Sequence, residues 1–385
     1  MEHIKKRLDE LQSNNLYRRL RTVESEQGAH VTIDGKRYLL LSSNNYLGLA
    51  NDARIVSAAK NALDKYGFGA GASRLISGTM TPHTELEATI SRFKGTERAI
   101  LFNSGYCANI GLITALSGRN DIIFSDKLNH ASIVDAALLS QSTVKRYPHK
   151  DVDALENLLK SADGYSKKII VTDGIFSMDG DIAPLRDIVA LSKKYSAYLI
   201  VDDAHATGII GENGKGTLSH FGIDDDNIIQ MGTLSKALGC FGAFVACKND
   251  LIEYLINMSR SFIYTTALPP STACAAIEAI KIAKEGDVLR KKLFENVNYL
   301  RGKLLDMGFN IPNSETHIIP LVIGSAEKTL ALSSYLFDNG VFIQAIRPPT
   351  VPKDTCRLRI TPTALHTKDE LEYLVSLLKN WKEER

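Results

Sequence analysis

Between residues 50 and 245 short apolar segments alternate with helical patterns, and this alternation limits the available folds more than any other feature of the chain. "RAILFNSG", "DIIFSD", "KKIIVTDGIFS" and "AYLIVDDAH" are brief and almost wholly apolar, and amphipathic pieces such as "DIVALSKKYS" separate them. Continuous apolar strands, rather than alternating ones, belong to sheets buried on both faces. The pattern therefore predicts an α/β fold with a parallel or mostly parallel central sheet covered by helices. In such sheets ligands sit beyond the carboxyl ends of the strands. Those ends carry polar residues here: Ser104-Gly105, Ser125-Asp126, Ser177, Asp202-Asp203 and Thr233.

Around this block, the first 25 or so residues read as an amphipathic helix. A strand pair follows in "HVTIDGKRYLLLSS", with Asp34-Gly35 as its hairpin turn. After "STACAAIEAIKIAKEGD" one long helix is expected through "VLRKKLFENVNYLRGKLLDMG", leading to a second α/β pattern in "IIPLVIG", "VFIQAI" and "RLRITP". The expected organisation is an N-terminal arm over 1–45, a large domain over 46–285 and a smaller α/β C-terminal domain over 286–385.

Composition narrows the setting. A formal net charge of +2 over 385 residues gives no reason to expect nucleic acid or a membrane surface as partner. No apolar run approaches the roughly 20 residues of a membrane span. "MEHIKKRLDELQ" lacks the apolar region of a signal peptide. Five scattered cysteines with no C-x-x-C fit a reducing compartment, and no clustered Cys/His or H-E-x-x-H suggests a metal. A soluble, cytoplasmic protein is the expectation.

Two residues then stand out. Asp202 ends the apolar run of "LIVDDAHATG", where a helix cap with a structural histidine, His205, would give the same letters. Lys236 lies 34 residues later (236 minus 202) in "GTLSKALG", among small and apolar neighbours. A snorkelling lysine would fit that setting, but so would one desolvated to attack a carbonyl. An aspartate and a lysine on two strand ends match what pyridoxal 5'-phosphate (PLP) requires: an acid at its pyridine nitrogen and an amine at its aldehyde. A phosphate cradle is available in "FNSGYCANIGLITAL", where Ser104-Gly105-Tyr106 precede a helical pattern. "GENGKGT" fails as a P-loop and "GFGAGASRLISG" fails as G-x-G-x-x-G, which weakens a nucleotide-binding alternative. His130 in "SDKLNHASIVDAA" is a candidate platform for the cofactor ring, although a capping role would also explain it.

These blocks carry a family resemblance. "TLSKALGCFG", with "SSNNYLGL", "GFGAGASRLISGT", "NHAS", "TDGIFSMDGD" and "VDDAHATG", resembles the α-oxoamine synthases, class II PLP enzymes of fold-type I. The blocks run in the family's order along nearly the whole chain. The resemblance implies a homodimer that condenses an amino acid with an acyl thioester and releases carbon dioxide. "AIRPPTVP", "SGYCAN" and "SRLISGT" are similar to the members that take L-alanine and a pimeloyl thioester, carried on coenzyme A or a carrier protein. Relatives using glycine and acetyl-CoA differ at these blocks.

By the same resemblance, Lys236 bonds the cofactor, Asp202 pairs with the pyridinium nitrogen, His205 bonds the phenolic oxygen and His130 stacks on the ring. Gly105, Tyr106 and Thr233 are implied on the phosphate side, with Thr265 or Thr266 of "FIYTTALPP" reaching it from the partner subunit. Ser177 is implied near the cofactor's oxygen side. Arg359 is implied on the amino-acid carboxylate, and Arg18, Asn44, Arg347 and Thr350 as substrate contacts. Arg357 is expected in a surface ion pair. Asp173 is a departure, because some of these relatives carry glutamate there.

Overall fold

The computed structural model describes residues 1–312 and 314–383. The chain forms two compact units, Leu49–Ser177 with Ile182–Asp287, and Met1–Gly48 with Met178–Asp181 and Val288–Arg385.

The larger unit is built on seven strands: β1 Arg98–Phe102, β2 Ile122–Asp126, β3 Thr143–Tyr147, β4 Lys168–Asp173, β5 Tyr198–Asp202, β6 Ile229–Thr233 and β7 Ala243–Cys247. Their order is β1-β7-β6-β5-β4-β2-β3. All neighbours are parallel except at β7, which pairs antiparallel with both β1 and β6. The apolar runs are continuous because successive residues serve opposite faces. Ile169 and Val171 pack with Ile123, Ile200 and Leu112 on one side, while Ile170 packs with Phe124, Leu199 and Ile188 on the other.

Helix α1, Thr81–Lys94, carries Lys94 at its last turn. Helix α2, Gly105–Leu116, follows β1 with Ser104 as its cap, and α3, Ala131–Leu139, follows β2 with His130 as its cap. Lys94 is buried against Asp203, Nζ to Oδ2 at 3.0 Å, and also donates to the carbonyl of Lys215. Asp203 further accepts from the Thr217 hydroxyl at 2.5 Å. Removing one partner of a buried pair strands the other charge, at about 3–5 kcal/mol. Lys94→Ala is thus expected to lower the denaturation midpoint by an amount of that order; a midpoint shift worth under about 1 kcal/mol would show that the Thr217 bonds alone hold Asp203.

In the smaller unit, strands His30–Ile33 and Lys36–Leu40 form the expected hairpin, and Val341–Phe342 adds to it in parallel. Asp34 and Gly35 both take positive φ, 49° and 70°, as a tight two-residue turn needs. A second sheet joins Ile319–Gly324, Cys356–Ile360 and Ala345–Ile346. One expectation is corrected. The N-terminal helix ends at Ser13, where Asn14 leaves helical geometry and Asn15 turns left-handed. The long helix expected after "STACAAIEAIKIAKEGD" is present as Asp287–Asp306, and a separate helix, Pro270–Lys284, precedes it. No helix among the described residues is long and apolar enough to cross a membrane.

Candidate active site

The register of the parallel strands brings the chemistry together. Asp173 and Asp202 are direct partners at the ends of β4 and β5. With the end of β6 and the starts of α2 and α3, they surround a cavity of about 140 Å³ lined by Gly105, Tyr106, Asn109, His130, Ser132, Asp173, Asp202, Ala204, His205, Met231, Thr233, Ser235 and Lys236. A larger cavity, about 510 Å³, lies around Tyr198, Lys248 and Tyr254, near the start of β5 and the end of β7. It holds no comparable set of reactive groups, so chemistry rather than size selects the smaller one.

Lys236 is half-buried on the pocket wall, in the turn between β6 and β7. Gly239 closes that turn with φ +63°, and a Cβ there would stand 2.6 Å from the carbonyl carbon of Leu49. Asp202 is buried and accepts from the Asn109 amide at 2.8 Å and the Ala204 N–H at 3.0 Å. His130 both caps α3 and opens onto the pocket, so the two readings of this residue are compatible. Protein on its other sides desolvates the ring and lowers its pKa below the usual histidine value; Lys236 acts the same way, while Asp202 and Asp135 oppose.

Asp173 accepts the His130 N–H at 2.7 Å, and its own N–H goes to Asn129 Oδ1 at 2.9 Å. Burial, reinforced by Asp202, pushes its pKa well above the ordinary carboxylate value, with the His130 N–H and Lys236 opposing. A carboxyl whose folded pKa is raised contributes stability fully only below its unfolded value of about 4, and that contribution is lost as pH rises through the folded value. Asn can accept the same N–H without ionising. The thermal midpoints of wild type and Asp173→Asn should therefore diverge in favour of the variant as pH rises from 4 to 8, and a constant gap would contradict this.

The site fits PLP. Ser104 Oγ takes the Cys107 N–H, leaving the N–H groups of Gly105 and Tyr106 as the open donors of α2. A Cβ on Gly105 would come within 2.8 Å of Thr233 Cγ2, so the cradle depends on glycine. The Tyr106 hydroxyl is committed to Asp135, which leaves its backbone for an anion. Thr233 is buried at the end of β6, and His205 is buried on the same wall. Ser177 is not among the lining residues. Thr265 and Thr266 lie elsewhere in the chain's own fold, where Asn103 Nδ2 donates to Thr265 Oγ1 at 3.0 Å and to the Thr266 carbonyl at 2.9 Å.

The substrate candidates form two groups in the smaller unit. Arg359 Nη2 donates to the Tyr46 hydroxyl at 3.0 Å and Nη1 to Asn44 Oδ1 at 3.2 Å, while Tyr46 donates to the same Asn44 oxygen at 2.9 Å. His317 sits edge-on to Tyr46 with ring centroids 4.0 Å apart, and burial together with Arg359 holds its pKa down at about 3. Arg347 donates to the carbonyls of Asn15 and Tyr17, and Arg18 to that of Pro348 at 3.1 Å. Thr350 is exposed in the adjoining turn, its N–H on the Arg347 carbonyl. The expectation for Arg357 is corrected: it is paired, at 2.6 Å with Asp179, but its side chain is buried rather than on the surface. Asn109, Ser132, Tyr46 and His317 were not found by sequence reasoning. Asn109 and Ser132 sit within helical runs and Tyr46 and His317 in loops, and no spacing rule marks any of the four.

A mostly parallel sheet bearing a lysine, an acid and a helix start at its carboxyl end defines the class, and the chain belongs to the aminotransferase class I and II family, whose model matches residues 36–378. More particularly, it is 50% identical to the 8-amino-7-oxononanoate synthase of Citrifermentans bemidjiense over 98% of both chains. Among solved structures it resembles a serine palmitoyltransferase of S. paucimobilis with a bound PLP adduct, at 31% identity and TM-score 0.93, covering 98% of this chain and 96% of that one. It also resembles the 8-amino-7-oxononanoate synthase of Francisella tularensis, at 31% identity and TM-score 0.78, covering 90% and 98%.

Proposed function

We propose that this chain condenses L-alanine with a pimeloyl thioester to give 8-amino-7-oxononanoate, carbon dioxide and free thiol, a step of biotin biosynthesis. The observation that carries the reading is the 50% identity, over 98% of both chains, to a protein named for that product. The thioester is carried on coenzyme A or on an acyl carrier protein.

PLP, when bound, supplies an aldehyde for attachment of an amine and a sink for negative charge at the substrate's Cα. The residues supply the rest. Lys236 anchors the cofactor, and its Nζ takes the Cα proton. Asp202, oriented by Asn109 and the Ala204 N–H, keeps a proton on the ring nitrogen. His130 and His205, both on the pocket wall, would hold the ring and its phenolic oxygen, and Ser177, outside the lining, would act on that oxygen side only through the groups between. Thr233 and the N–H groups of Gly105 and Tyr106 hold the phosphate. Arg359, with its guanidinium fixed by Tyr46 and Asn44, grips the alanine carboxylate. Asn44, Arg18, Arg347 and Thr350 contact the substrates.

The enzyme acts as a homodimer in which Thr265 or Thr266 of one copy completes the phosphate site of the other. Thr266 bridges to Ser73, and Tyr264, Phe68 and Ile76 nearby in sequence are 72%, 80% and 81% exposed, as an uncovered subunit face would be. Five free cysteines agree with a cytoplasmic setting.

Thiol release from pimeloyl, acetyl and palmitoyl thioesters, each with alanine, glycine or serine, tests the substrate pair. Alanine with the pimeloyl thioester is expected to be fastest. Faster release with glycine and acetyl-CoA, or with serine and a palmitoyl thioester, would overturn the assignment.

A further inference from the structure

Asn109 is fully buried on α2 beside Ala108, Leu112 and Ile113. Its amide nitrogen spends both protons: one on Asp202 Oδ2 at 2.8 Å, the other on Ser132 Oγ at 2.8 Å. Its oxygen is buried with no partner among the described residues. The reverse orientation of the amide would set that oxygen 2.8 Å from the Asp202 carboxylate, acceptor against acceptor, so the carboxylate fixes which end is which. A buried amide with an idle acceptor is a poor packing choice unless its donors have work to do.

The chain of bonds continues. Ser132 Oγ lies 2.8 Å from His130 Nδ1, and the Ser132 N–H donates to the same nitrogen at 3.2 Å. A backbone N–H can only donate, so Nδ1 is an acceptor and the ring proton sits on Nε2. With Asn109 donating to Ser132 Oγ, the serine hydroxyl is left to donate to Nδ1 as well.

We propose that Asn109 is a positioning residue that ties Asp202 to His130 through Ser132, so that one amide sets both the acid placed at the ring nitrogen and the tautomer of the imidazole covering the ring. This rests on the proposed function, in which PLP occupies the pocket. The other charged groups that face the network are Lys236 and Asp135; Asp173 holds the His130 N–H, and His205 shares the wall.

The test follows the visible absorbance of the holoenzyme against pH for wild type, Asn109→Asp and Ser132→Ala, with the PLP dissociation constant and thermal midpoint measured alongside. Asn109→Asp sets two carboxylates at hydrogen-bond distance, and such pairs cannot both ionise freely. The absorbance midpoint should move by about one pH unit or more and PLP should bind about tenfold more weakly, the loss growing as pH rises. Ser132→Ala keeps the donor to Asp202 and cuts the link to His130. It should move the absorbance midpoint by less than Asn109→Asp does. A midpoint in either folded variant that matches wild type overturns the proposal, and Ser132→Ala decides it alone if Asn109→Asp does not fold. A wild-type protein that takes up no PLP would overturn the proposed function instead.

Discussion

Lys236→Ala is expected to give a folded protein with no visible cofactor absorbance, no covalent trapping by borohydride and turnover reduced by about 10⁴-fold or more. Two roles converge on one nitrogen: anchoring PLP and moving the Cα proton. Loss of a positioned base alone costs about 10²–10⁴ in rate, and loss of the covalent anchor adds to it. The folding cost should be small, because Lys236 is half-buried in a turn and lines a cavity rather than filling the core. A variant that kept its colour and its turnover would remove the lysine from the mechanism.

The second large effect is expected at Asp202. Asp202→Asn keeps the size of the side chain and can still accept one bond, from Asn109 or from the Ala204 N–H. It cannot hold a positive charge on a ring nitrogen. Removing one pre-organised electrostatic contact from a water-poor site costs about 10²–10³ in kcat, and that fall should come with little change in the KM for alanine, since the carboxylate grip is assigned to Arg359. A raised KM with unchanged kcat would mean that Asp202 only shapes the pocket.

Much of this fold was legible because its strands are buried on both faces. "AILF", "IIFS", "KIIVTD" and "YLIVD" stand out as apolar runs for that reason. The edge strand β3, "TVKRY", was missed because its outer residues are exposed and it lacks an apolar run. Lys236 and Asp202 were legible as strand-end residues, since each follows such a run. The neighbourhood of Asp173 and Asp202 was not, because it depends on strand register, which apolar composition leaves open. Asn109 was hidden in "GYCANIGLITAL", where a polar residue in an apolar helix gives no sign of the carboxylate 93 positions away that it serves. Arg359 and Asn44, 315 positions apart, came from the family resemblance, and only the structure adds Tyr46, which bonds both of them.

The most direct test is mass spectrometry of the products formed from a pimeloyl thioester and L-alanine labelled with ¹³C in its carboxyl group. The account predicts unlabelled 8-amino-7-oxononanoate, with the label recovered entirely as carbon dioxide. Labelled pyruvate, or no condensation product with alanine under conditions where glycine gives one, would contradict it.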